Sequence, residues 1–161
     1  MTLGTASLIT GATAIVLATP AAATAAWSEY RTPVAGTWVV QDMFDRTAGG
    51  SAQIAKGGKR LARLSVKVGE RNKGEGGCGD ARTVAIAKSL PIKRVGSYQR
   101  PVVGRLGKDK LITTISTTLT VDGQRRPGKI EVIFEKDGRS AYTVRMETGD
   151  CALDFAIRTK K

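Results

Sequence analysis

The feature that most limits what this chain can become is a period-two alternation of apolar and polar residues through its carboxy-terminal half. From Leu111 to Val121 the odd positions read Leu111, Thr113, Ile115, Thr117, Leu119 and Val121. The even ones after Ile112 are Thr114, Ser116, Thr118 and Thr120. Successive side chains of a strand point to opposite faces, so this pattern predicts a half-buried strand with one wet face. Asp122 to Gly128 reads as the loop that reverses it. Next, Ile130, Val132 and Phe134 alternate with Lys129, Glu131 and Glu135, leaving Ile133 as an apolar residue on the outer face. Asp137-Gly138 is a two-residue hairpin signal, because both central positions of the favoured turn need positive φ. The returning strand sets Tyr142, Val144 and Met146 against Thr143, Arg145 and Glu147. After Thr148-Gly149-Asp150, a last strand sets Cys151, Leu153, Phe155 and Ile157 against Ala152, Asp154, Ala156 and Arg158. Four consecutive strands joined by tight turns make an antiparallel meander with one buried face.

The same period recurs at Thr37 to Phe44, with Trp38, Val40 and Phe44 on one side, and at Ala62 to Val68, with Leu64, Val66 and Val68. Thr83 to Ala87 and Pro101 to Leu106 are weaker candidates, interrupted nearby by prolines and glycines, and fit edge or bulged strands. A short helix capped by Asp80 is the alternative for Asp80 to Leu90. Gly49-Gly50-Ser51 and Asn72 to Gly79 read as loops. Seven or eight short strands in one domain predict an all-β fold: a small antiparallel β-barrel, with a β-sandwich as the alternative.

The first 26 residues carry no charged side chain, and the net charge of +12 belongs entirely to the remainder. The apolar run Leu8 to Ala18, followed by the small residues Ala21 to Ala26, predicts a secretory signal over residues 1–25 and one β domain over 26–161. An uncleaved anchor is the alternative. Gly4, Gly11, several threonines and Pro20 dilute the run below the roughly 20 strongly apolar residues of a membrane span, so none is expected in the mature chain. The expected location is therefore secreted or periplasmic. There, 26 Lys and Arg against 14 Asp and Glu draw polyanions: an acidic protein or an envelope glycan rather than nucleic acid. A solvated basic coat is the plainer alternative. An oxidising compartment also pairs the two cysteines, Cys78 with Cys151.

Catalytic and cofactor chemistry lacks its usual parts. The chain has no histidine, so nucleophilic triads and the commonest metal ligand are absent, and no metal or cofactor is expected. Gly74-Glu75-Gly76-Gly77-Cys78-Gly79 resembles a phosphate-cradling turn, but such a site needs a parallel βαβ unit, and a loop anchoring a disulfide accounts for it. Asp42 and Asp45 at a strand end are explained by solvation, and two Trp, three Tyr and three Phe are few for sugar platforms. The basic residues that do cluster are Lys56, Lys59 and Arg60, with Arg63 close by, and Arg125, Arg126 and Lys129 at the expected hairpin loop, where Pro127 restricts the backbone. Rigid loops on a sheet scaffold are where binding residues collect, so both groups are candidate contacts.

Gly36-Thr37-Trp38 at the start of the first strand resembles the G-x-W opening of the lipocalin and wider calycin barrels. That resemblance implies an antiparallel barrel whose end is closed by Trp38, with a late Arg, here Arg158, packed over it. It also implies either a secreted inhibitor acting through its loops or a carrier of a small apolar ligand. The expectation is thus an exported, non-enzymatic binding protein that meets an anionic protein or glycan through basic loops; the alternative is a carrier with its ligand inside the barrel.

Overall fold

The computed structural model describes residues 29–43, 46–72, 77–96, 99–103 and 115–160. The expected signal at 1–25, Phe44, Asp45, the glycines 74 and 76 and the residues 111–114 of the long alternating run lie outside them.

Among the described residues eleven strands form in chain order: β1 (Gly36–Asp42), β2 (Thr47–Ile54), β3 (Arg60–Val68), β4 (Thr83–Ile86), β5 (Leu90–Pro91), β6 (Lys93–Val95), β7 (Arg100–Val103), β8 (Ile115–Val121), β9 (Gln124–Ile133), β10 (Ser140–Thr148) and β11 (Cys151–Thr159). Eight of them run β10-β11-β1-β2-β3-β4-β8-β9, and β9 pairs back with β10, so the sheet closes. Every pairing is antiparallel. Closure of these eight strands sets aside the sandwich. Short strands β5, β6 and β7 extend the wall beside β3 and β9. The strand candidate at Thr83 to Ala87 forms β4, and the alternative of a short helix over Asp80 to Leu90 is set aside by β4 and β5.

The inward positions are those the alternation marks: Leu64, Val66, Leu119, Ile130, Val132, Met146, Leu153, Phe155 and Ile157 are all buried. They join Trp38, Phe134 and Leu61 in one contiguous cluster. Eight strands enclose just enough space for side chains to fill it. Trp38 meets Phe134 edge to face, with ring centroids 5.7 Å apart.

Four local expectations are corrected. Gly49-Gly50-Ser51 is not a loop but the middle of β2. The register shifts there, Thr47 facing Val68 and Gly50 facing Val66, which is a bulge. A Cβ on Gly50 would lie 2.3 Å from the Ser65 carbonyl oxygen, so glycine marks close approach of backbones rather than a turn. Tyr142 does not face inward with Val144: one extra residue between Ala141 and Val144 flips it out, and it is 59% exposed.

The two Asp-Gly pairs also exchange roles. Asp122 (φ 49°) and Gly123 (φ 84°) form the two-residue turn, with Val121 facing Gln124 directly across it. Asp122 takes the left-handed conformation because its carboxylate is engaged: Oδ1 accepts from the amides of Arg82 (3.0 Å) and Thr83 (2.8 Å). The chain around Asp137-Gly138 is a longer loop, closed by Glu135 N donating to Ser140 O at 2.8 Å. There the Asp137 side chain accepts from Arg139 N, and only Gly138 has positive φ. Arg125, Arg126 and Pro127 therefore lie on strand β9, not at a loop tip.

One barrel end is covered by the segment 30–35, which lies between the β2–β3 and β9–β10 loops. Val34 N donates to Gly138 O (2.8 Å) and Arg31 N to Lys136 O (3.1 Å). A Cβ on Gly58 would meet the Pro33 carbonyl oxygen at 2.3 Å, so the loop fits the segment only without a side chain. Arg94 donates to Tyr30 O and Thr32 Oγ1, and Arg100 stacks 5.2 Å from the Tyr30 ring centroid. At the opposite end Cys78 is bonded to Cys151. Beside it, the buried Asn72 donates from Nδ2 to Ala152 O and accepts at its backbone from Cys78 N.

Candidate functional site

Alternation around a closed barrel sends every second residue to the outside wall, so the character of the wall depends on which strands are neighbours. On β3 the outward positions are Arg63, Ser65 and Lys67; on β9 they are Arg125, Pro127 and Lys129, all exposed except the half-buried Ser65. Between them run β4 and β8. The register aligns Ser65 with Ala85, Ala85 with Thr120 and Thr120 with Arg125. The centre of this wall is thus small: Ser65, Ala85, Thr118 and Thr120, flanked by two rows of cations. With neighbouring strands about 4.8 Å apart, the rows stand roughly 14 Å from each other. Within each row the two cations are four residues apart, about 13 Å at 3.3 Å per residue.

Strands β3, β4 and β8 contain no carboxylate, and β9 has none before Glu131. Asp122, at the β8–β9 turn, is turned onto backbone amides, whereas Lys129 borders the acids of β10: the register sets it opposite Glu147, and Glu131 follows it on the same face of β9. The outward acids on the other side of the barrel meet cations. Arg145 pairs with Glu147 and stands 3.8 Å from Asp154, which Arg46 also reaches at 3.5 Å. The hydrogen bond that Arg145 donates to Glu147 and the charge of Asp154 hold its guanidinium above its ordinary pKa. Charge is therefore sorted around the barrel: mixed on β10, β11 and the stretch of β9 that pairs with β10, and cationic on β3 and the first half of β9.

The two basic groups expected from the sequence are not brought together. Arg125 and Lys129 belong to the cationic wall, with Arg63. Arg126 falls on the opposite face of the β8–β9 ribbon, facing Leu119, and is exposed. Lys56, Lys59 and Arg60 lie at the covered barrel end. Arg60 is already engaged, donating from Nε to Ser89 Oγ (2.8 Å) and from Nη2 to Ser89 O (3.0 Å). Lys67, near the end of β3 in the same row as Arg63, is not among the sequence candidates. Its signal was its place in the outward set of the Leu64-Val66-Val68 strand.

Beside Lys129, where β9 runs past the end of β10, lies an open depression of about 320 Å³ lined by Ser116, Thr117, Pro127, Gly128, Glu147 and Thr148. Thr148 Oγ1 donates to Pro127 O at 2.9 Å. Proline has no N–H to offer on this free stretch of β9, and its carbonyl is taken, so the edge does not template another strand.

No family model, curated protein or solved structure matches this chain. The site rests on its own geometry. Trp38 is fully buried, and its Nε1 donates to Val34 O at 2.9 Å. Arg158 is not packed over it. The register places Arg158 opposite Val39, one position off, and hence on the outer face. In the amide orientation that satisfies both groups, the Gln41 side-chain oxygen accepts from Arg158 Nε (3.1 Å) and Nη2 (3.2 Å). The segment 30–35 covers the tryptophan instead. Among the described residues no helix is long and apolar enough to cross a membrane, and no group of acidic or cysteine side chains is placed to hold a metal ion.

Proposed function

We propose that this chain is an exported, non-enzymatic binding protein that holds an anionic envelope glycan across the outer wall of β3, β4, β8 and β9. The sorting of charge carries the reading: Arg63, Lys67 and Arg125 face outward on strands without a carboxylate before Glu131, and Lys129 extends the row to its border with Glu147 of β10. Their spacing of about 13 Å exceeds the Debye length of about 8 Å at physiological salt, so a compact anion meets one of them while an extended polyanion meets all four. The small centre of the wall supports a glycan over an acidic protein, since protein interfaces are anchored by large aromatic side chains in pockets and the wall offers neither. The contiguous cluster of side chains inside the barrel favours this surface role over the carriage of an apolar ligand.

The test is retention on immobilised heparin and on an immobilised polyuronate. The parent protein is expected to stay bound at physiological salt and to elute as salt rises. The fourfold variant Arg63→Glu, Lys67→Glu, Arg125→Glu, Lys129→Glu is expected to flow through. A parent that is not retained, or a variant that elutes with it, overturns the reading.

A further inference from the structure

A second charged surface lies at the covered barrel end, and different observations define it. Lys56 and Lys59 stand on the β2–β3 loop, Lys136 and Arg139 on the β9–β10 loop, Arg31 on the segment between them, and Lys160 just after β11; all six are exposed. They are held as one surface. Gly58 lies against Pro33, a Cβ on Gly138 would stand 2.6 Å from the Thr32 carbonyl oxygen, Thr159 N donates to Arg139 O (2.8 Å), and Lys160 N donates to Thr37 O (3.4 Å). Two of the acids nearby are engaged: Glu135 with Arg100 at 2.9 Å, and Asp137 with the Arg139 amide at 2.8 Å. Glu29 adds one negative charge at the edge.

This end is also where an apolar residue is left out. Val34, on the covering segment between the two loops, is 41% exposed although its backbone is fully engaged by Gly138 and Trp38. Tyr142, flipped outward by the β10 bulge near the same end, is more exposed still. Finally, the chain enters the fold here: Tyr30 follows, after three residues, a stretch of 26 without a charged side chain.

We propose that the covered end of the barrel docks on an anionic phospholipid leaflet. Arg31, Lys56, Lys59, Lys136, Arg139 and Lys160 would meet headgroup phosphates, with Val34 and Tyr142 at headgroup depth. Juxtamembrane cations gain from the negative surface potential and lose that gain within a Debye length, so six on one surface act together only when that surface faces the lipid. Tyrosine at the rim suits the interface, where one end of the ring is apolar and the other wet. In this orientation the long axis of the barrel stands on the membrane, and the cationic wall of β3 to β9 remains open to its own partner. The docking is independent of that wall.

Cosedimentation of the full chain with vesicles tests it. Vesicles of phosphatidylcholine with and without about one-third phosphatidylglycerol are compared at physiological salt. Insertion of the uncharged amino terminus is indifferent to headgroup charge, so the readout is the ratio of binding to the two lipids. The parent is expected to prefer anionic vesicles by about tenfold or more. The variant Lys56→Glu, Lys59→Glu, Lys136→Glu, Arg139→Glu is expected to lose that preference, while the wall variant Arg63→Glu, Lys67→Glu, Arg125→Glu, Lys129→Glu keeps it. The same circular dichroism spectrum for all three establishes folding. Equal binding of the parent to both lipids, or loss of preference in the wall variant but not in the end variant, overturns the proposal. Flow-through of the parent on heparin with its lipid preference intact would remove the wall reading and leave this one standing.

Discussion

The indole Nε1–H of Trp38 donates to the carbonyl oxygen of Val34 at 2.9 Å, tying the first strand of the barrel to the segment that covers its end. The same ring packs edge to face on Phe134, so one side chain serves the interior and the cover at once. Trp38→Phe removes the donor and part of the ring, and is expected to lower stability by about 2 kcal/mol, a lost hydrogen bond plus lost packing. Val34→Ala keeps the carbonyl and trims only an exposed side chain, with an expected cost of about 0.5 kcal/mol or less. Urea unfolding of the two variants, compared at unchanged m, checks the difference.

Cys78 and Cys151 close a loop with a sequence separation of 73 residues. In the chain-entropy account a crosslink of this span stabilises by about 4 kcal/mol. The double variant Cys78→Ser, Cys151→Ser is expected to shift the urea midpoint down by that equivalent, and added reductant to shift the parent but not the variant. A midpoint that ignores both changes would show the bond to be dispensable.

Gly128 needs its missing side chain for steric reasons. A Cβ there would stand 2.6 Å from both the Glu147 carbonyl oxygen and Leu119 Cδ1, where β10 leaves β9 beneath the depression at Lys129. Gly128→Ala is expected to cost about 2 kcal/mol or more, because the neighbour that must move includes backbone. Thermal unfolding reads this directly as a fall of several degrees in Tm.

Arg60 separates structural from recognition cations. Its guanidinium holds Ser89 and with it the chain leading into β5. Because the pair is exposed, Arg60→Ala is expected to cost at most about 1 kcal/mol. Its elution from heparin should stay near that of the parent, whereas Arg125→Ala should elute earlier. A heparin loss for Arg60→Ala equal to that for Arg125→Ala would contradict the assignment.

The strands of the meander, with β1 and β3, were legible because a strand announces itself by a period of two in its own residues, whereas β5 and β6 are too short to show one. The inward sets Leu153-Phe155-Ile157 and Ile130-Val132-Phe134 are read directly and found buried. The errors fall where a residue count changes by one or a short-range signal is ambiguous. At Tyr142 a bulge inserts one residue and reverses the parity of what precedes it. At Gly49-Gly50 a strand was hidden, because glycine serves a turn and a close backbone approach equally well. The two Asp-Gly pairs are identical as dipeptides; the partners of Asp122 on β4 decide which one becomes the tight turn.

By itself the sequence determined the strand-forming segments of the meander, the pair of cysteines available for a bridge, an excess of cations, and the lack of histidine. All of these are properties of local pattern or of composition. Only the tertiary structure decided that the sheet closes through β9 and β10, that Arg158 turns away from Trp38, and that Arg63 and Lys67 share a wall with Arg125 and Lys129 while Lys56 and Lys59 join Arg31, Lys136 and Arg139 at one end. The physical reason is range. Which face a residue takes follows from its immediate neighbours in the chain, but which faces lie side by side follows from strand order, set by pairing and packing between residues as far apart in the chain as Trp38 and Thr159.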